Sequence, residues 1–183
     1  MSPDPALVAH LLQHSVKTGT FTLKSGRTSS WFIDAKQTVC RPDGLLLVAN
    51  ALLGTLPEGT TALGGLTMGA DPVAFGVAGV AAARGGHLRA FSVRKEAKDH
   101  GARGRLAGAL ELGDRVVITE DTVTRGASPL EAVRVVRDLG AEVVGVVAVV
   151  DRGGACAGLL EPEGVPFFAL VTAPELGFAY EGA

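Results

Sequence analysis

Cysteine is scarce in this chain. Cys40 and Cys156 stand far apart and in no metal-ligand spacing, so the sequence offers neither a disulfide framework nor a zinc site. Both thiols read as structural residues in a reducing compartment. An excess of one charge is also missing: 17 Lys and Arg against 19 Asp and Glu give a net charge of -2. No overall basic field therefore recommends nucleic acid as a partner, and any polyanion must be met by a local cluster. Long apolar runs are absent as well. The two longest, around Leu45 to Leu53 and Val143 to Val150, are too short to span a bilayer, and Met1-Ser2-Pro3-Asp4-Pro5 lacks the basic-then-apolar pattern of a signal peptide. These absences lead us to expect a soluble cytoplasmic protein with no membrane partner. A length of 183 residues suits one α/β domain with a sizeable core, 1–183, and is short for two.

What is present is organised around one stretch. Val116-Val117-Ile118-Thr119 is the β-branched run of a strand covered on both faces of a parallel sheet, and Ala132, Val133, Val135, Val136 and Leu139 repeat with helical spacing. Between them lie Glu120 and Asp121, then the small, hydroxyl-rich turn Thr122-Val123-Thr124-Arg125-Gly126-Ala127-Ser128. The acids are thus expected where the strand ends and the helix begins, the edge at which open α/β sheets bind ligands. Ionised carboxylates accept hydrogen bonds only, so they suit vicinal hydroxyls or a metal. The Thr and Ser hydroxyls and the N–H groups of a helix-opening turn suit a phosphate. A ribose 5-phosphate carries both kinds of group. The bland alternative is that the acids merely open the next helix.

The rest of the chain reads as alternating strands and helices, hence a mostly parallel sheet flanked by helices. Pro3 and Pro5 open a helix expected to run to about Lys17 and to stop at Gly19. Phe21 to Arg27 and Ser30 to Asp34 read as two short strands around a Ser-Gly turn, a hood of about residues 1–40 beside the main sheet. A helix from Pro42 or Asp43 to Leu53 ends at Gly54. Thr61 to Gly65 reads as the first core strand, followed by a Gly-rich corner, Leu66-Thr67-Met68-Gly69-Ala70-Asp71-Pro72, and a helix from Val73 to Ala83. Further strands are expected at Leu88 to Val93, Arg115 to Thr119, Val143 to Val150 and Pro166 to Val171.

The alternation fails between Val93 and Arg115. Arg94-Lys95-Glu96-Ala97-Lys98-Asp99-His100-Gly101-Ala102-Arg103-Gly104-Arg105 holds five Lys or Arg and one His, with no apolar stripe to bury. Long loops inside compact domains are more often functional than accidental. Its like charges repel one another until an anion gathers them, which makes the segment of about 94–107 a candidate ligand-operated cover rather than an idle solvated loop.

These pieces together resemble the type I phosphoribosyltransferases, and within them the orotate branch, over most of the chain. Val117 to Ser128 is similar to the diphosphoribosyl-binding signature shared by all branches. Phe21-Thr22-Leu23-Lys24-Ser25-Gly26-Arg27 with Ser30-Trp31-Phe32 resembles the orotate branch's hood, Arg94 to Gly101 its lid, and Asp151-Arg152 the pair after its next strand. The resemblance implies Mg²⁺-dependent transfer of ribose 5-phosphate from 5-phosphoribosyl 1-diphosphate to orotate, giving orotidine 5′-phosphate and diphosphate in pyrimidine biosynthesis. It also implies a homodimer in which each lid reaches the partner's site.

On that basis Lys98, His100, Glu120 and Asp121 are the candidate catalytic residues. Breaking the C1–O bond leaves positive charge on the ribose and negative charge on the diphosphate, so acids belong under the sugar and cations around the leaving group. The sugar diphosphate would be held by Lys24, Arg94, Lys95, Lys98, His100, Glu120 and Asp121 together with the turn of Thr122, Val123, Thr124, Arg125, Gly126, Ala127 and Ser128. Orotate would meet Phe32, the backbone of Ile33, Thr124 and Arg152, whose fork suits a carboxylate or carbonyl. The plain readings are a surface Arg152–Asp151 ion pair and a core Phe32. No residue is assigned as a direct metal ligand, since Mg²⁺ would be carried mainly by the substrate. Two departures stand out: Glu120 where the family commonly has aspartate, and Met68-Gly69 where some members have Tyr-Lys. Met68 reads as packing, and diphosphate contacts at that corner are then left to backbone N–H groups. A purine phosphoribosyltransferase, or a sensor of this fold that binds RNA or DNA, is the rival reading.

Overall fold

The computed structural model describes residues 2–22, 26, 28–96 and 104–181. Its main sheet has six strands in the order β5-β4-β3-β6-β7-β8. These are β3 (Ala62–Leu66), β4 (Arg89–Val93), β5 (Leu106–Gly108), β6 (Arg115–Val123), β7 (Glu142–Asp151) and β8 (Phe167–Thr172). All neighbouring pairs are parallel except β4 with β5. The chain builds outward from β3 to β4 on one side, then restarts at β6 and builds the other way to β8. The change of direction lies between β3 and β6, and the crevice beyond their carboxyl ends is where such sheets hold ligands.

Both faces of the sheet are covered, as the β-branched runs require. On β6, Val117 packs with one layer, formed by α1 (Pro5–His14), α3 (Pro42–Leu53) and α4 (Ala70–Ala83) through Leu7, Leu11, Val48, Leu52, Val73 and Val77. Val116 and Ile118 point the opposite way, against α5 (Ala127–Asp138) and α6 (Cys156–Leu160) through Val133, Val136, Cys156 and Leu160. Side chains alternate along a strand, so adjacent residues at its end look to different layers.

A separate antiparallel pair, β1 (Val16–Thr22) and β2 (Thr28–Ile33), forms the hood. Trp31 is its anchor, buried and stacked on Phe178 with ring centroids 4.5 Å apart. Behind it comes α2 (Lys36–Val39), whose Thr38 hydroxyl bonds Ser15 Oγ at 2.7 Å and His10 Nδ1 at 3.1 Å.

Several expectations need correction. The first helix ends at His14, and Lys17 and Gly19 belong to β1, because the β-branched residues Val16, Thr18, Thr20 and Thr22 favour a strand. The fourth helix begins at Ala70 rather than Val73, with Asp71 tied to Thr67 Oγ1 at 2.6 Å and Ser92 Oγ at 2.5 Å. Within the charged interruption, Leu106 is buried and β5 pairs with β4, so the far end of the expected cover is anchored to the sheet edge. Cys40 is exposed, whereas Cys156 is core, its thiol pushed up to about 12 by burial and by the charges of Asp151 and Glu120.

Candidate active site

The acid pair does not sit past the end of its strand. β6 runs on to Val123, with Thr122 and Val123 pairing with Val150 and Asp151 of β7, so Glu120 and Asp121 are strand residues. Nor do they cap the next helix: α5 starts after Gly126, which has φ +91 and makes no side-chain cap. A Cβ at Gly126 would strike Cys156 as well as strain the backbone, so this turn requires glycine. Both carboxyls lie against the backbone of Gly69 at the top of β3, where any side chain would collide with them. The absent side chain is what lets the Gly-rich corner close onto the acids.

Glu120 and Asp121 are both about 6% exposed. Burial, then the neighbouring Asp121 charge, pushes the Glu120 carboxyl up from its ordinary 4.5 to about 8. Asp121 has a counter-ion: Lys36 Nζ donates to its Oδ2 at 2.6 Å and lies 3.8 Å from Asp34 Oδ1. Burial works against the charge on Lys36, but its hydrogen bond to Asp121 and the carboxylates of Asp121, Asp34 and Glu120 outweigh this and raise its affinity for the proton. Lys36 carries no motif signal, and nothing in the sequence singles it out.

Two cavities lie side by side here, and the acids line the smaller of them. The larger, about 830 Å³, is lined by the turn 122–129 and by Lys17, Phe21, Thr22, Phe32, Arg152 and Glu181. The smaller, about 330 Å³, is lined by Lys36, Leu66, Thr67, Met68, Gly69, Lys95, Glu120 and Asp121, and Thr122 and Ser128 line both. Two residues that line the larger cavity each have a buried side-chain atom with no partner among the described residues, Thr122 Oγ1 and Arg152 Nε.

Arg152 is not a surface residue paired with Asp151. It is 7% exposed, stands 5.2 Å over the Trp31 ring, donates from Nη2 to Trp31 O and Ser29 Oγ, and forms an ion pair with Glu181. Asp151 instead accepts from the N–H groups of Gly153 and Gly154. Phe32 is 38% exposed and lines the cavity rather than packing in the core. Ile33 is buried with Leu7 and Leu11 and lines neither cavity, because its side chain belongs to the core. Met68 is 68% exposed on the smaller cleft, which corrects its reading as packing.

Thr122, Val123, Thr124, Arg125, Gly126, Ala127 and Ser128 all line the larger cavity, and Lys95 lines the smaller. Arg94 is held at the β4–β5 corner, its N–H donating to Arg105 O at 2.7 Å. Lys24, Lys98 and His100 lie outside the described residues. Sequence reasoning missed Lys36, Glu181 and Lys17. Only Lys17 left a trace, as Phe32's cross-strand neighbour once the hairpin register is known. Among the described residues no group of three or more His, Cys, Asp or Glu could hold a metal, and no helix is long and apolar enough to cross a membrane.

A parallel sheet with its switch point beside adjacent acids, a small hydroxyl-rich turn opening a helix, and an antiparallel hood over the crevice are the features of the type I phosphoribosyltransferase class. No protein-family model matches the chain. Orotate phosphoribosyltransferase of Streptomyces avermitilis is 44% identical over 174 residues, covering 94% of this chain and 96% of that one. The crystal structure of the Mycobacterium tuberculosis orotate phosphoribosyltransferase with Fe(III) dicitrate superposes with a TM-score of 0.82 at 36% identity, over 94% of this chain and 98% of that one. The same enzyme in complex with 5-phospho-α-D-ribosyl 1-diphosphate gives a TM-score of 0.78 at 33% identity, with the same coverage. The chain belongs to the orotate phosphoribosyltransferase family.

Proposed function

We propose that this protein transfers ribose 5-phosphate from 5-phosphoribosyl 1-diphosphate to N1 of orotate, releasing diphosphate and forming orotidine 5′-phosphate in pyrimidine biosynthesis. The observation that carries the reading is the buried acid pair in a cleft with Lys36 and Lys95, next to a larger cavity walled by a phosphate-type turn and Arg152, with Thr122 and Ser128 lining both. A sugar carrying a 5-phosphate on one side and a diphosphate on the other has that division of charge. A Mycobacterium tuberculosis relative has been crystallised with this sugar diphosphate, which supports the choice.

In this reading the turn from Thr122 to Ser128 receives the 5-phosphate, the N-terminus of α5 lying behind it. Glu120 and Asp121 bond the ribose hydroxyls, Glu120 with the proton that it holds up to about pH 8, and the Asp121 carboxylate stabilises the positive charge that grows as the C1–O bond opens. Orotate lies against Phe32, near Thr124 and the Ile33 backbone, with its carboxylate or a carbonyl on Arg152. Arg94, Lys95, Lys98 and His100, with Lys24 of the hood, gather on the diphosphate, and closure of the segment 94–107 keeps water from replacing orotate. His100 donates a hydrogen bond or a proton to the leaving group.

Mg²⁺ is commonly bound through substrate phosphates, and the carboxyls of the smaller cleft are already engaged, Asp121 with Lys36 and Glu120 with its proton. We assign it no direct protein ligand: it comes mainly with the sugar diphosphate, whose charge it partly neutralises. The chain acts as one domain, 1–183, with the hood at about 1–40, in a cytoplasmic homodimer that shares its lids and binds no nucleic acid. The test is to supply Mg²⁺ and the sugar diphosphate with orotate, uracil, adenine or guanine separately and to follow diphosphate release. Release with orotate alone is expected. Comparable release with a purine overturns the substrate assignment.

A further inference from the structure

The Gly-rich corner from Leu66 to Pro72 contains no Lys or Arg. The structure supplies one from another part of the chain. Lys36 projects from the first turn behind the hood and lines the same cleft as Thr67, Met68, Gly69 and Lys95. Its base is rigid: Ala35, Thr38 and Val39 are buried, and Thr38 is tied to Ser15 and His10. Its tip is not sealed in, because the side chain is 41% exposed while the Asp121 carboxylate it holds is 8% exposed. A buried carboxylate thus has as its only ion-pair partner among the described residues a lysine whose other side faces the open cleft.

Resting on the function proposed above, we infer that Lys36 is a diphosphate-binding residue that exchanges Asp121 for the leaving group when the sugar diphosphate is bound. Before the ligand arrives, Lys36 neutralises Asp121, which otherwise stands charged beside a second buried carboxyl. The ligand brings hydroxyls that satisfy Asp121 and phosphoryl oxygens that are stronger acceptors for an ammonium. Both groups therefore gain from one small swing of the lysine side chain. The ammonium then lies where negative charge accumulates on the departing diphosphate, and its withdrawal from Asp121 leaves that carboxylate's field to the ribose.

Inorganic diphosphate separates this from a purely structural role: it brings the phosphoryl oxygens without the hydroxyls, and Lys36, with three N–H donors, can bond it while still holding Asp121. In calorimetry with Mg²⁺ and inorganic diphosphate, Lys36→Met is expected to weaken binding by about tenfold, and Lys36→Arg to stay within about threefold of the natural protein. In turnover, the KM for the sugar diphosphate rises by a similar factor in Lys36→Met, while the KM for orotate moves by less than about twofold. Unchanged diphosphate affinity in a folded Lys36→Met protein overturns the inference. The binding arm needs no turnover, so a natural protein that binds diphosphate but fails to consume orotate would count against the proposed reaction and not against Lys36.

Discussion

Replacing Glu120 by Gln removes one titrating group from the acid pair while keeping its shape, and the consequence for stability has a definite sign. The folded chain holds the Glu120 proton up to about pH 8, whereas an unfolded glutamate releases it near 4.5. Between those values the folded state binds more protons than the unfolded state, so stability falls as pH rises. The contribution is fully present below 4.5 and is lost as pH climbs through 8. At ~1.4 kcal/mol for each tenfold change in proton affinity, the full displacement corresponds to about 5 kcal/mol as an upper bound. Only part of that range is sampled between about pH 5.5 and about pH 8.5. We expect about 2 kcal/mol over that interval. Urea unfolding of both proteins at the two pH values measures it, since the other titrating groups cancel in the difference. Glu120→Gln should gain on the natural protein as pH rises. A stability difference that does not change with pH would refute the assignment of the raised carboxyl to Glu120.

Asp121→Asn and Lys98→Ala are each expected to fold normally and to lower kcat/KM for orotate consumption at least a hundredfold, on the scale of a lost transition-state charge contact; circular dichroism and steady-state kinetics check both. Arg152→Lys loses the fork geometry and is expected to raise the KM for orotate about tenfold or more. Glu181→Gln removes a competing anion from Arg152 and should lower the same KM, and a rise there would show that Glu181 serves to hold Arg152 in place. Gly126→Ala meets both a positive φ and the Cys156 side chain, and should cost about 2 kcal/mol or more in chemical unfolding.

What was legible in the sequence was what local pattern alone decides. The run from Val116 to Ile118 declared a buried parallel strand, the stretch from Pro42 to Gly54 carried its own start and stop, and the hydroxyl-rich turn announced a phosphate-type site. The strand end at Val123 was hidden because Glu120 and Asp121 look like boundary residues. Their strand geometry comes from pairing with β7, a partner that follows them by about one helix's length of chain. Lys36 and Glu181 were invisible for the same reason. One is 85 residues from Asp121 and the other 29 from Arg152, and no periodicity relates residues joined only by the packing of the hood and the final segment on the sheet edge. Arg152 was chosen for its chemistry, yet its burial over Trp31 depends on the hairpin register.

The account rests on an acid pair, with the Asp121 carboxylate as its negative charge, beneath a pentose that becomes cationic. The most direct measurement is a crystal structure of this protein with 5-phosphoribosyl 1-diphosphate and Mg²⁺. We expect carboxylate oxygens of Glu120 and Asp121 at hydrogen-bonding distance from the ribose hydroxyls, with the 5-phosphate in the turn from Thr122 to Ser128. Carboxylates turned away from the hydroxyls, or a phosphate seated outside that turn, would contradict it.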